Sequence, residues 1–121
     1  VVIVDSTAPQ DADLAARWDL MERLRDPSHV RNYSTSEWRA MVEEAGLRVF
    51  AEETGFATEN GGPMSFDAWT RRIHTPPQAV AELEQRFRNA SAALVRALRI
   101  EIVDNAIFFC VPVVTIAARK E

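Results

Sequence analysis

The chain opens on Val1-Val2-Ile3-Val4 and passes at once into Asp5-Ser6-Thr7; no other feature constrains the fold as strongly. Four consecutive β-branched residues read as a strand. Unbroken rather than alternating hydrophobicity is the pattern of a strand buried on both faces, as in a parallel sheet covered by helices on each side. Such a strand needs neighbours, and only two or three further strand candidates follow. The sequence therefore predicts that another copy of the chain, or a preceding N-terminal half, completes the sheet. The start reads as cut, with no initiator Met and no polar lead-in; an ordinary edge strand is the alternative.

The segments that follow alternate helix and strand signals. Leu14, Trp18, Met21 and Leu24 recur at helical spacing, which predicts a helix from Asp11 to Leu24. Arg25 to Tyr33 has no sustained period and sets five polar or charged side chains around His29, as a site loop would. Ser34-Thr35-Ser36-Glu37 matches the capping box and starts a second helix through Trp38, Met41, Val42 and Ala45, which Gly46 stops in the left-handed conformation. A strand over Leu47 to Glu52 and a flexible Asn60-Gly61-Gly62-Pro63 loop come next. Phe66 to His74 reads as a short amphipathic lid or docking helix. Thr75-Pro76-Pro77 starts a helix capped by Thr75, with Val80, Leu83 and Phe87 on one face, and Asn89-Ala90-Ser91 breaks or re-caps it. Arg99 to Val111 reads as a hairpin turning at Asp104-Asn105, and Pro112 predicts a bulge or edge position before a last strand to Ala118.

With 121 residues, 47% hydrophobic and 26% charged, the composition fits one globular domain, residues 1–121, and excludes disordered and fibrous classes. A net charge of -4 argues against a nucleic-acid partner, since phosphate binding needs clustered Lys and Arg. The lone cysteine, Cys110, sits in an apolar run and permits no internal disulfide. No apolar stretch reaches the about 20 residues of a membrane span, so no membrane partner is expected and the cytoplasm is the expected location.

Two stretches carry a family resemblance. Val2-Ile3-Val4-Asp5-Ser6-Thr7-Ala8-Pro9 resembles the fifth strand and following loop of class I S-adenosylmethionine-dependent methyltransferases of the ubiquinone/menaquinone type. Arg25-Asp26-Pro27-Ser28-His29-Val30-Arg31 followed by Ser34-Thr35-Ser36-Glu37-Trp38 resembles the same group's bacterial members. The resemblance implies an α/β fold: the C-terminal part of a Rossmann-like sheet, with an antiparallel final strand inserted between two parallel ones and helices flanking it. Nothing in the chain resembles that family's Gly-rich first loop, and its four glycines, at 46, 55, 61 and 62, have no strand-to-helix context to form one. The resemblance thus implies S-adenosylmethionine in the full-length enzyme, a donor-binding N-terminal half outside this chain, and no cofactor-binding residue within it.

On that reading the chain supplies the acceptor side of the pocket, with Asp5, Ser6 and Thr7 at the rim where strands of an open α/β sheet end. His29 is the candidate general base toward a small-molecule acceptor. Arg31 and Tyr33 are candidates to orient that acceptor, and Trp18 and Trp69 to wall the pocket. Each also has a structural reading: a backbone-bonded histidine, a charged surface loop, core tryptophans. His74 is expected to be a neighbour of a helix start. Two distant histidines without an adjacent carboxylate at ligand spacing predict no metal site. Three functions fit these residues: part of a methyltransferase, inactive alone; a non-catalytic α+β module that homodimerises through its exposed strand edge; or a small ligand-binding protein using a pocket between the His29 loop and the Phe66 to His74 segment.

Overall fold

A computed structural model of the chain describes residues 1–57, 59 and 61–120. The order of elements is β1 (Val2–Ser6), α1 (Ala12–Arg25), α2 (Thr35–Glu44), β2 (Leu47–Ala57), β3 (Met64–Ser65), α3 (Phe66–Arg71), α4 (Pro77–Arg88), α5 (Ala92–Leu98), β4 (Glu101–Val103), β5 (Ala106–Phe109) and β6 (Val111–Lys120).

One sheet has the order β1-β6-β2. The last strand runs antiparallel to both neighbours, pairing Ile3 with Ile116 on one side and Glu52 with Ile116 on the other, so β1 and β2 run parallel to each other without touching. This is the inserted reversed strand that the sequence resemblance implied. Along β6 the buried residues Val114, Ile116 and Ala118 alternate and pack with Val42 of α2, flanked by Ile3, Trp38, Leu47 and Val49. The opposite face carries Val2 and Val4, 68% and 66% exposed. Burial of the first strand on both faces is therefore not seen: no described element covers its second face, and β1 lies at the edge of the sheet, paired with β6 alone among the described strands.

A small second sheet, β3-β5-β4, sits under α1, α3, α4 and α5. Trp18, Met21, Trp69, Leu83, Phe87, Leu98 and Phe109 from these elements form the larger core. The Asp104-Asn105 turn adopts positive φ of 49° and 67°, as the hairpin required.

The capping box at Ser34 and Glu37 forms in full, and Gly46 stops the following chain with φ of 87°. Thr75 does not cap α4. Pro76 occupies that position, while the Thr75 hydroxyl donates to the carbonyl of Arg25 at 3.0 Å. Pro112 makes no bulge: it lies inside central β6 opposite Phe56, and its carbonyl accepts from Thr7 at 2.9 Å. Its position as the second residue of the strand lets a missing N–H fall at the strand's start. The break falls at Cys110 and the register shift in β2 at Val49/Ala51. Of the expected 60–63 loop, Asn60 lies outside the described residues; Glu59 and Gly62 exchange backbone hydrogen bonds of 2.8 and 2.9 Å around Gly61. Phe66, Trp69 and Thr70 of α3 are buried, so this helix is core and not a lid.

Candidate functional site

The C-terminal end of β1 is stitched to the loop between α1 and α2. Thr7 donates through its hydroxyl to the carbonyl of Tyr33 at 2.7 Å, and Ala8 donates its N–H to the same oxygen at 2.9 Å. The Ser6 hydroxyl donates to Asn32 Oδ1 at 2.7 Å, and Asp5 Oδ1 accepts from the Ser6 N–H at 2.7 Å. Asp5 and Ser6 are thus bonded to each other and to the loop at the end of β1.

Behind this rim His29 meets two carboxylates of α1. Its Nε2 lies 3.2 Å from Asp19 Oδ1 and 3.1 Å from Glu22 Oε2. Asp19 and Glu22 are three residues apart, one helical turn, so they project on one face. Asn32, 5% exposed, completes the network: its N–H donates to Asp19 Oδ1 at 2.9 Å and its amide donates to Glu22 Oε2. Burial raises the Glu22 carboxyl above its ordinary range, and the neighbouring Asp19 charge adds to this, while the Asn32 bond and His29 work against it. Ligand-capable atoms of Asp19, Glu22 and His29 all lie within 4.8 Å of one another, a set able to hold a metal ion. The expectation that no carboxylate adjoins a histidine is thus corrected: the carboxylates arrive from the preceding helix, which sequence spacing to His29 conceals. The network ties the loop to α1, and it occupies the Nε2 of the expected base.

Arg31 and Tyr33 are also engaged. The Arg31 guanidinium forms a two-pronged pair with Glu37, at 3.3 and 2.5 Å, and lies 4.3 Å over the Tyr33 ring. Arg31 and the Ser34 backbone hold the Glu37 carboxyl down at about 2. Tyr33 in turn packs edge-on against Trp38, centroids 5.9 Å apart. Trp18 and Trp69 are buried and not exposed to a cleft. They stack on each other, centroids 5.8 Å apart, inside the core at 0% and 2% exposure, because the helical period that carries each one points into the α1/α3/α4 interface. The junction between the His29 loop and the Phe66 to His74 segment is filled: Arg25 donates to the Trp69 carbonyl at 2.9 Å and stacks 4.7 Å over that ring. His74, at φ of 55°, precedes α4 as expected and lines a void of about 400 Å³ beside Pro76 and Val80.

The cleft at the sheet's rim lies elsewhere. A space of about 490 Å³ forms where β1 and β2 end, where β6 begins and where α5 stops; Thr7, Gln10, Thr35, Thr54, Phe56 and Arg99 line it. Its size is that of a small-molecule pocket, and it lies beyond the C-terminal ends of two parallel strands. Arg99 and Phe56 were missed because each sits at the end of an element, where periodicity gives no signal. His29 is not among the lining residues. A groove of about 390 Å³ between α1 and α4 carries Arg17, Glu82 and Arg86, but these charges are already paired, Arg17 with Asp13 and Arg86 with Glu82.

No protein-family model matches the chain. It is 31% identical over 121 residues to YcgJ of Bacillus subtilis, an uncharacterised methyltransferase, covering 98% of the chain and 46% of that protein. It is 28% identical over 120 residues to YafE of Escherichia coli, an uncharacterised protein, covering 99% of the chain and 54% of the relative. The chain thus spans about half the length of the curated relatives it matches. The solved structure of Bacillus subtilis YcgJ superposes with a TM-score of 0.82 at 29% identity, over 99% of this chain and 50% of that one. A Bacillus halodurans protein assigned as a methyltransferase, BH2331, superposes with a TM-score of 0.85 at 23% identity, over 98% of this chain and 54% of that one. The α/β fold is therefore that of one half of these methyltransferase structures. No described helix is long and apolar enough to cross a membrane.

Proposed function

We propose that this chain is the acceptor-side part of a methyltransferase that uses S-adenosylmethionine and acts on a small molecule. The observation that carries the reading is 31% identity to a methyltransferase relative across nearly the entire chain. The reversed strand in the middle of β1-β6-β2 supports a class I methyltransferase fold, and the Val4-Asp5-Ser6-Thr7-Ala8-Pro9 segment supports the quinone-type subgroup.

The residues described do not fit a donor site. Gly46 ends a helix, Gly55 lies within β2, and Gly61 and Gly62 form a turn, so none opens a helix after a strand as a nucleotide loop requires. The donor pocket then belongs to the portion of the relatives that this chain does not span, and the isolated chain is inactive. S-adenosylmethionine supplies an electrophilic methyl; the acceptor side has to align a nucleophile with it and exclude competing water. The cleft at the ends of β1 and β2 is where this chain does so. The loop between α1 and α2, whose Tyr33 carbonyl accepts from Thr7 and Ala8 of the cleft wall, is held in place by the Asp19, Glu22, His29 and Asn32 network; His29 is then a positioning residue, and proton removal falls to the acceptor's own acidity or to the donor-side portion.

The test is a chimera in which this chain replaces the matched segment of Bacillus subtilis YcgJ, assayed for S-adenosylhomocysteine release with a panel of small phenols, amines and quinols. Acceptor-dependent release supports the reading; a folded chimera that binds donor but releases none with any acceptor overturns it.

A second reading concerns the isolated chain: it homodimerises through the exposed edge and face of β1. Val1, Val2 and Val4 are 70%, 68% and 66% exposed there, an apolar template for strand pairing.

A further inference from the structure

Arg99 combines three features found together nowhere else among the described residues. It ends α5 in the left-handed conformation, φ 50° and ψ 47°, a position that Gly or Asn fills more easily. Its guanidinium carbon lies 4.1 Å over the Phe56 ring. It pairs with no carboxylate among the described residues, whereas Arg17, Arg31, Arg39, Arg72, Arg86 and Arg88 all do. Both Arg99 and Phe56 line the 490 Å³ cleft.

The stacking decides what the guanidinium can do. A guanidinium held against an aromatic ring keeps its N–H groups available, and a carboxylate can accept two parallel hydrogen bonds from them. Strained backbone at a cleft is retained where the side chain it delivers is needed there. Pro9, Ala97 and Val113, which are apolar, and Thr35 and Thr54 also line the cleft. An unpaired cation on an apolar wall selects a ligand with one anionic end and an apolar body. In a chain of net charge -4, that local positive site stands against the overall field.

We infer that Arg99, held by Phe56, is the anion-binding residue of the cleft, and that the acceptor is an apolar small molecule bearing a carboxylate. The inference rests on reading the cleft as the acceptor site. A carboxylate accepts two charge-assisted hydrogen bonds from the guanidinium where a neutral carbonyl lacks the opposite charge, so Arg99 favours the anionic acceptor and takes no part in the transfer itself.

The test titrates the 121-residue chain with benzoate and with benzamide, its neutral counterpart, following the amide signals of Thr54, Gly55 and Phe56 by NMR. Saturable shifts with benzoate, at least tenfold weaker with benzamide, are expected. Arg99→Gln should abolish the difference, and Phe56→Leu should weaken benzoate while leaving the preference. Arg99 is exposed, so the Gln variant keeps the fold, which its own spectrum verifies. Equal binding of the two probes, or an unchanged preference in Arg99→Gln, overturns the inference. In the chimera, carboxylate and neutral acceptors separate the two ideas. Methyl transfer to neutral acceptors alone, insensitive to Arg99→Gln, sinks this inference and leaves the methyltransferase reading standing. Benzoate binding with no transfer to any acceptor sinks that reading, and with it the acceptor role given to this site.

Discussion

Replacing His29 with alanine tests whether the network behind the rim holds the loop. The imidazole Nε2 stands 3.2 and 3.1 Å from two carboxylate oxygens whose side chains are only 12% and 13% exposed. One N–H serves one carboxylate fully, so the loss is counted as a single hydrogen bond to a charged group, about 1.5–3 kcal/mol. Breaking a fully buried pair costs about 3–5 kcal/mol, but Asn32 keeps a donor on each carboxylate and so lowers that limit. The expected destabilisation of His29→Ala at pH 7 is about 2–3 kcal/mol. The pH dependence has a definite sign. Glu22 has a folded-state pKa raised above its unfolded value, so its ionised form costs stability above the folded pKa, and this cost is relieved as pH falls through it. Urea unfolding of the His29→Ala variant followed by tryptophan fluorescence at pH 7 measures the loss. A midpoint matching the parent refutes the reasoning.

Glu37→Gln removes a carboxyl held at about 2, whose stabilising effect is present above its unfolded value and is lost as pH falls from about 4.5 toward about 2. Thermal melts of this variant are expected to show a flatter decline than the parent across that window. Trp69→Ala opens the centre of the larger core and is expected to cost about 3–5 kcal/mol, read from urea midpoints. Trp18→Phe should cost clearly less, because the buried Trp18 Nε1 has no hydrogen-bond partner to lose. Val4→Lys places a charge on the exposed edge strand, and light scattering at high micromolar concentration should show a dimer for the parent and a monomer for the variant.

Local punctuation was legible in the sequence because it depends on one or two residues: the Ser34 box, the Gly46 stop and the Asp104-Asn105 turn all form where their chemistry demands. The reversed final strand followed from the order of elements together with the family resemblance. What sequence could not supply were encounters between elements. Trp18 and Trp69 have the periodicity of core residues and the chemistry of pocket walls, and only the meeting of α1 with α3 decides for the core. His29 finds Asp19 and Glu22 because the loop folds back on the helix before it, a return that no spacing rule encodes. Arg99 looked like the first residue of a hairpin arm, and its role emerges only once Phe56 lies beneath it. Burial of β1 on both faces was inferred from its unbroken β-branched run, yet such a run records what a strand is suited to, not what covers it in this chain.

The central claim is a division of labour, with the acceptor side in this chain and the donor site outside it. Calorimetric titration of the 121-residue chain with S-adenosylhomocysteine tests it most directly. The account predicts no saturable heat up to millimolar ligand, with the chimera binding under the same conditions. Saturable micromolar binding by the chain alone would contradict it, since these residues would then build a donor site of their own.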